Sequence, residues 1–231
     1  MKKIRNIIFD WDNTLFPFKK YWEIAHRRIF LDLFDFDEQL TIDDFMEIFS
    51  RFDEQVWNEV YAGNLTAQEA REERVRLTLD HFGISYKEIF VRNFFDIFLT
   101  TLMKEIRQDE QLLTRIKKLS ERYKIVILSN GESWEQREKI RQFGFESLFP
   151  VYISGETGFV KPDFRAFENI LIAENFLPDE TLMVGDLIEH DILPAQQLGL
   201  LTAFIGKTTG KIADFEFLTL DDFLYWIENR I

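Results

Sequence analysis

Hydrophobic positions follow two rhythms along this chain, and the change between them divides it. Ile7-Ile8-Phe9 is an unbroken apolar run, too short for a helix and suited to a strand buried on both faces of a parallel sheet. Phe16-Pro17-Phe18 follows, and the proline marks a turn rather than more strand. From residue 19 to 103 the spacing turns helical. The apolar sets are Ile24, Ile29, Phe30, Leu33 and Phe34; Phe45, Ile48, Phe49, Phe52 and Val56; Val75, Leu77, Leu79 and Phe82; and Ile89, Phe90, Phe94, Ile97, Phe98 and Leu102. Thr41 with Asp43 and Asp44, and Thr66 with Glu69 three positions on, are helix starts; Ala62-Gly63-Asn64 and Gly83 are stops. Four successive amphipathic helices without a strand predict an inserted helical bundle.

From Gln108 onward helix and strand alternate. The pattern predicts helices over 110–122, 135–143, 163–175, 188–198 and 220–229, with a short segment near Phe217-Leu218. Strands are predicted over 125–128, 151–153, 181–184 and 201–205. Such alternation implies a parallel sheet with right-handed crossovers and helices on both faces. The expected architecture is α/β: a Rossmann-like doubly wound parallel sheet core, residues 1–15 and 104–231, with a four-helix module at 16–103. No repeat or linker-like segment interrupts it.

Composition narrows the partners. Hydrophobic residues make up 46% of the 231, with 25 Phe, so a sizeable core is available. Acids outnumber bases by 41 − 28 = 13. That balance repels phosphate backbones and anionic lipid surfaces, so neither nucleic acid nor membrane is an expected partner. Cysteine is absent, which excludes thiolate metal sites and a cysteine nucleophile. The basic start at Met1-Lys2-Lys3 meets Asp10 and Asp12 too soon for a signal peptide, and no apolar run approaches the ~18 residues of a membrane span. A cytoplasmic protein, monomer or homodimer, is expected.

Chemistry gathers where the predicted strands end. The first strand delivers Asp10 and Asp12, with Thr14 beyond; the second delivers Ser129, Asn130 and Gly131; a later one delivers Asp186, with Asp191 five residues on, and Lys161 lies on the loop between. Each also has an ordinary use as turn former, helix cap or surface lysine. A doubly wound sheet, however, brings all of these strand ends to one edge. Carboxylates there suit a hard cation, and three of them without histidine or thiol partners favour Mg²⁺ over zinc. His26, His81 and His190 form no ligand motif.

In this order the residues resemble the haloacid dehalogenase-like superfamily over the whole chain. Asp10-Trp11-Asp12-Asn13-Thr14 matches its D-x-D-x-T motif, 125–129 its apolar strand ending in Ser or Thr, Lys161-Pro162 its loop lysine, and Gly185-Asp186 with Asp191 its last acidic motif. The helical module sits where the family places its α-helical cap, and 61–82 resembles caps of nucleotidases and sugar phosphatases. His190 and Pro194 depart from the usual pattern without removing a functional group, and Pro194 is a candidate bend.

The resemblance implies a Mg²⁺-dependent phosphatase acting on a small phosphate ester, a nucleoside monophosphate or sugar phosphate. Asp10 would be the nucleophile, and Asp12 the acid and then base. Asp10, Asp186 and the Asp12 carbonyl would hold Mg²⁺. Ser129, Lys161 and the Asn130 and Gly131 amides would hold phosphate, and Asp191 would orient Lys161 or a metal-bound water. Displacing halide needs no proton, so Asp12 favours phosphate esters over carbon–halogen bonds. Phe16, Phe18, Tyr21, Trp22 and Trp134 are candidates for reading the leaving group. A phospho-receiver and a non-catalytic metabolite-binding protein are the other classes, although receivers place their lysine after the acids and carry no helical insert.

Overall fold

The computed structural model describes residues 3–36, 40–208 and 210–230; Met1 and Lys2 of the basic start lie outside them. The described chain forms two compact units, Met1–Phe18 with Ile106–Ile231, and Lys19–Glu105. Phe16 and Phe18, drawn into the helical module from sequence, group instead with the α/β unit, because Phe16 stacks flat on Trp11 at 5.6 Å between ring centres.

The first unit opens with β1 (Asn6–Asp10). The second unit then carries α1 (Phe18–Leu33) from its second residue on, α2 (Ile42–Tyr61), α3 (Ala67–His81) and α4 (Glu88–Glu105). Thr41 and Thr66 form capping boxes with Asp44 and Glu69, satisfying amide groups that have no partner within the helix. Gly83, at φ +64°, ends α3 in the left-handed region. Phenylalanines fill the interior of this unit: Phe30, Phe45, Phe49 and Phe94 are fully buried. His26 lies among them, its Nδ1–H donated to the Trp22 carbonyl at 2.8 Å. Burial, with Arg74 nearby, holds its pKa well below the usual histidine value, so the ring is neutral. Arg74 in turn pairs with Asp53.

Returning to the first unit, the chain continues through α5 (Glu110–Ser120), β2 (Lys124–Ser129), α6 (Ser133–Gln142), β3 (Val151–Ile153), the short α7 (Ser154–Thr157) and α8 (Phe164–Ala173). It ends with β4 (Thr181–Gly185), α9 (Leu193–Gln197), β5 (Leu201–Ile205), β6 (Phe215–Phe217) and α10 (Leu220–Glu228). All six strands pair in parallel in the order β3-β2-β1-β4-β5-β6, giving a Rossmann-like sheet. Alternate residues face opposite sides. Ile8, Val126 and Met183 pack with Phe167 and Ile170 of α8, while Phe9 meets Phe223 of α10 edge-to-face at 5.8 Å. Helices therefore cover both faces, which explains why the middle of each central strand, residues 7–9 of β1, 125–128 of β2 and 182–184 of β4, is apolar without alternation.

Two sequence expectations change. The segment near Phe217 is a sixth parallel strand, short and half-buried, whose three residues are too few for periodicity to reveal. The helix expected over 188–198 is divided: Ile188–Ile192 forms a π-turn, and α9 begins only at Leu193, with Pro194 in its first turn. Proline has no N–H to continue the earlier ladder, so the register changes where it stands.

Phe49 touches Trp22, His26, Phe30 and Phe94, and its removal tests whether these rings are the core of the helical unit. Phe49→Ala is expected to cost about 3–5 kcal/mol in chemical denaturation followed by circular dichroism. A loss under about 1 kcal/mol would contradict the packing described.

Candidate active site

The strand order reverses direction at β1: β2 and β3 lie to one side, β4, β5 and β6 to the other. A parallel sheet opens a crevice beyond its carboxyl ends at such a point. Register fixes what reaches it. Asp10 pairs with Leu128 and Phe9 with Val184, so Asp10, Ser129 and Asp186 leave three adjacent strands at nearly one level.

After Asp10 the backbone turns sharply. Phe16 N–H donates to the Trp11 carbonyl at 2.9 Å and Asn13 N–H to the Phe16 carbonyl at 2.7 Å. Asn13 takes φ +65°, a conformation asparagine tolerates better than most residues. Trp11 and Phe16 anchor this turn in a buried aromatic group with Phe143 and Phe145. The position of Asp12 is thereby set from below by packing.

Lys161 is the centre of charge. It is 3% exposed, and its Nζ donates at 2.6 Å to Asp10 Oδ1 and at 2.6 Å to Asp191 Oδ1, with the Leu128 carbonyl at 3.4 Å. Asp191 is fully buried and takes a second bond, 3.1 Å from the Leu187 amide, on Oδ2. A Cβ on Gly185 would collide with this carboxylate, which is why the residue before Asp186 has none. Carboxylate oxygens of Asp10, Asp186 and Asp191 lie within 4.8 Å of one another.

One ammonium cannot neutralise three carboxylates. Burial pushes the Asp10 carboxyl up to about 7; Lys161 opposes this, while Asp191 and Asp186 add to it. Burial by itself would lower Lys161, but Asp10 and Asp191 more than offset that and hold it above the usual lysine value. Asp10 Oδ2 is buried with no hydrogen-bond partner among the described residues. An anionic oxygen in that state has one obvious complement, a cation.

The loops after β2 and β3 are locked together. Asn130 Nδ2 donates to the Lys161 carbonyl at 2.9 Å, and the Lys161 amide donates to Asn130 Oδ1 at 2.8 Å. Asn130 therefore fixes the backbone that carries the central lysine, a role its side chain did not announce. Ser129 is buried at the end of β2. Gly131 requires a correction: its N–H is already donated to Ser154 Oγ at 2.9 Å, so the amide expected to bind phosphate is engaged elsewhere. Thr14 is buried with its hydroxyl unpartnered among the described residues.

Asp12 lies in different surroundings from Asp10. Lys139 Nζ donates to both of its oxygens, at 2.9 and 2.8 Å, and Gln136 Nε2 donates to Oδ2 at 2.8 Å. Neither partner was singled out from sequence. A signal was nevertheless there: Gln136, Lys139, Ile140 and Phe143 are all buried at i, i+3, i+4 and i+7, so two polar residues occupy the inward stripe of α6. Of the aromatic candidates, Phe16 belongs to the core of the α/β unit and Tyr21 is buried, while Trp134 is 63% exposed on α6. His190 is half-buried in the π-turn.

A sequence profile of the haloacid dehalogenase-like hydrolases matches residues 7–205. Among curated relatives, the HAD-hydrolase YfnB of Bacillus subtilis is 26% identical over 212 residues, 89% of this chain and 86% of that one. Glyceraldehyde 3-phosphate phosphatase of Methanocaldococcus jannaschii is 25% identical over 214 residues, covering 92% and 89%. Pyrimidine 5'-nucleotidase YjjG of Escherichia coli is 25% identical over 202 residues, covering 87% and 85%. A crystal structure of YfnB bound to magnesium superposes with a TM-score of 0.81 at 23% identity, covering 99% of this chain and all of that one. No described helix is long and apolar enough to cross a membrane.

The raised Asp10 carboxyl gives a signed dependence on pH. A group whose folded pKa lies above its unfolded 3.8 stabilises fully below that value and loses its contribution as pH rises towards about 7. Asp10→Asn removes the titration and keeps the shape. In the presence of chelator, the variant is expected to gain stability relative to the parent as pH rises from about 4 to about 7. Thermal midpoints measured across that range would contradict this if the difference stayed flat or fell.

Proposed function

The chain belongs to the haloacid dehalogenase-like hydrolase family, and from that premise we propose that it is a Mg²⁺-dependent phosphatase of small phosphorylated metabolites. The observation that carries this reading is the buried, unpartnered Oδ2 of Asp10 within a cluster of carboxylates. The donors fit magnesium: all are oxygen, and no sulfur or imidazole competes. Because Asp191 already spends both oxygens on Lys161 and the Leu187 amide, Asp10 and Asp186, with the Asp12 carbonyl, are the residues that would hold the ion. Bound there, Mg²⁺ neutralises the charge that otherwise opposes a carboxylate approaching a phosphate dianion.

The remaining work falls to side chains. Asp10 attacks phosphorus, forming a bond to one carboxylate oxygen as the ester P–O bond breaks, and an aspartyl-phosphate results. Lys161 and Ser129 bind the phosphoryl oxygens, with the Asn130 amide as a further donor. Asp12 gives its proton to the departing oxygen, then takes one from the water that hydrolyses the intermediate. Asp191 keeps Lys161 in place. The helical unit, Lys19–Glu105, is assigned the part of a cap that reads the leaving group.

Relatives named as a glyceraldehyde 3-phosphate phosphatase and a pyrimidine 5'-nucleotidase support a small phosphate ester as substrate. A carbon–halogen bond is disfavoured by Asp12, since halide leaves without a proton.

Phosphate release from nucleoside monophosphates, sugar phosphates and p-nitrophenyl phosphate is expected with Mg²⁺ and is lost with EDTA. Asp10→Asn should lower turnover at least about 1,000-fold, as removal of a nucleophile does. Full activity in that variant, or indifference to EDTA, would overturn the assignment.

A further inference from the structure

A lysine almost wholly removed from solvent is seldom incidental, and Lys139 is 1% exposed. Its Nζ lies 2.9 and 2.8 Å from the two oxygens of Asp12, 3.1 Å from Glu135 Oε1, and 4.7 Å from the centre of the Phe18 ring. Two carboxylates and an aromatic face thus surround one cation. Gln136, one turn earlier on α6 and 2% exposed, uses a single amide nitrogen twice: for Asp12 Oδ2 at 2.8 Å and for the Asn130 carbonyl at 2.9 Å. Its Oε1 has no partner among the described residues. Gly131 must be glycine for this contact, since a Cβ there would sit 2.6 Å from Gln136 Nε2.

We propose that Lys139 and Gln136 are positioning residues for proton transfer by Asp12, fixing its carboxylate relative to the loop that binds the phosphoryl group. The arrangement has the required connectivity. Asn130 is bound on one side to Gln136 and on the other to the backbone of Lys161. The acid, the phosphate loop and the lysine beside the nucleophile therefore form one hydrogen-bonded chain. Asp12 accepts three hydrogen bonds, which leaves its carboxylate little freedom to rotate. Without them, a partly exposed side chain on a turn would sample several rotamers, and few would face the leaving oxygen. The inference rests on the phosphatase reading and on Asp12 as the acid.

Leaving-group chemistry separates positioning from scaffolding. When the P–O bond of an alkyl phosphate breaks, the oxygen keeps the electron pair and needs the Asp12 proton to leave as an alcohol. p-Nitrophenolate is stable as the anion and needs little help. The measured quantity is kcat/KM, which reports on steps through loss of the leaving group and not on later hydrolysis of the intermediate. Lys139→Met is expected to lower kcat/KM for the fastest alkyl phosphate about 10- to 100-fold, a part of the roughly 100- to 10,000-fold that a general acid contributes. The loss for p-nitrophenyl phosphate should be at least about tenfold smaller. Lys139→Arg should recover part of the alkyl activity, and Gln136→Leu should show the same bias at about 3- to 10-fold.

Asp12→Asn serves as the reference, because it should show the same bias more strongly. Equal losses on both esters in the Lys139 and Gln136 variants would overturn the proposal, reducing both residues to scaffolding of the loop. A rise in alkyl activity would also overturn it, since the contacts would then restrain Asp12 from acting. If Asp12→Asn itself lost both activities equally, Asp12 would not be the acid and the proposal would fall with that reading. Retention of the bias in Gln136→Leu would sustain it even if Lys139→Met did not fold.

Discussion

Lys161 is the constraint on which the α/β unit depends. Three carboxylates converge at the ends of β1 and β4 within 4.8 Å of one another, two of them buried. Without a cation among them they would repel or take up protons. A single ammonium, bound equally closely to Asp10 and Asp191, makes the cluster possible and leaves it short of positive charge. That shortfall is what a phosphatase needs. Burial raises the Asp10 carboxyl, Asp191 and Asp186 add to the rise, and Asp10 Oδ2 has no partner among the described residues, the setting in which the proposed divalent ion would sit.

Holding Lys161 there requires more than its two ion pairs. The loop that carries it is fastened through Asn130, whose side-chain amide binds both the Lys161 amide and carbonyl, as a neighbouring strand would. Asp191 is fastened by the Leu187 amide and by close packing over Gly185. The π-turn at Ile188–Ile192 carries Asp191 back towards the end of β4, whereas the predicted regular helix would have given this segment a different register. A departure from ordinary helical geometry thus coincides with a residue of the site, as π-turns often do.

Much of this was legible beforehand because each signal was local. Apolar runs of strand length, Thr-x-x-Asp or Thr-x-x-Glu starts and glycine stops act within a few residues. They located the principal strands and all four helices of the second unit. The acids and the lysine could be read because strand ends in parallel sheets converge by rule. What stayed hidden depends on long-range contact. Phe16 looked like a reader of the leaving group, but it stacks on Trp11. Gly131 looked like an amide donor until Ser154 took the amide. Gln136 and Lys139 could have been suspected from their inward positions on α6, but their partner is more than 120 residues distant.

The two acids of the first motif show why this distance matters. Asp10 and Asp12 are two residues apart, yet the structure gives them separate neighbours. Asp10 shares Lys161 with Asp191 and has an oxygen with no donor among the described residues. Asp12 is half-exposed and has a lysine and an amide bound to it. Assigning different chemistry to two identical groups depends on giving them different environments. The tight turn through Asn13 makes that separation possible. The end of β1 puts Asp10 in the cluster at the sheet edge, and the turn brings Asp12 against α6, so the proposed nucleophile faces a shortage of positive charge while the proposed proton carrier is held by donors of its own.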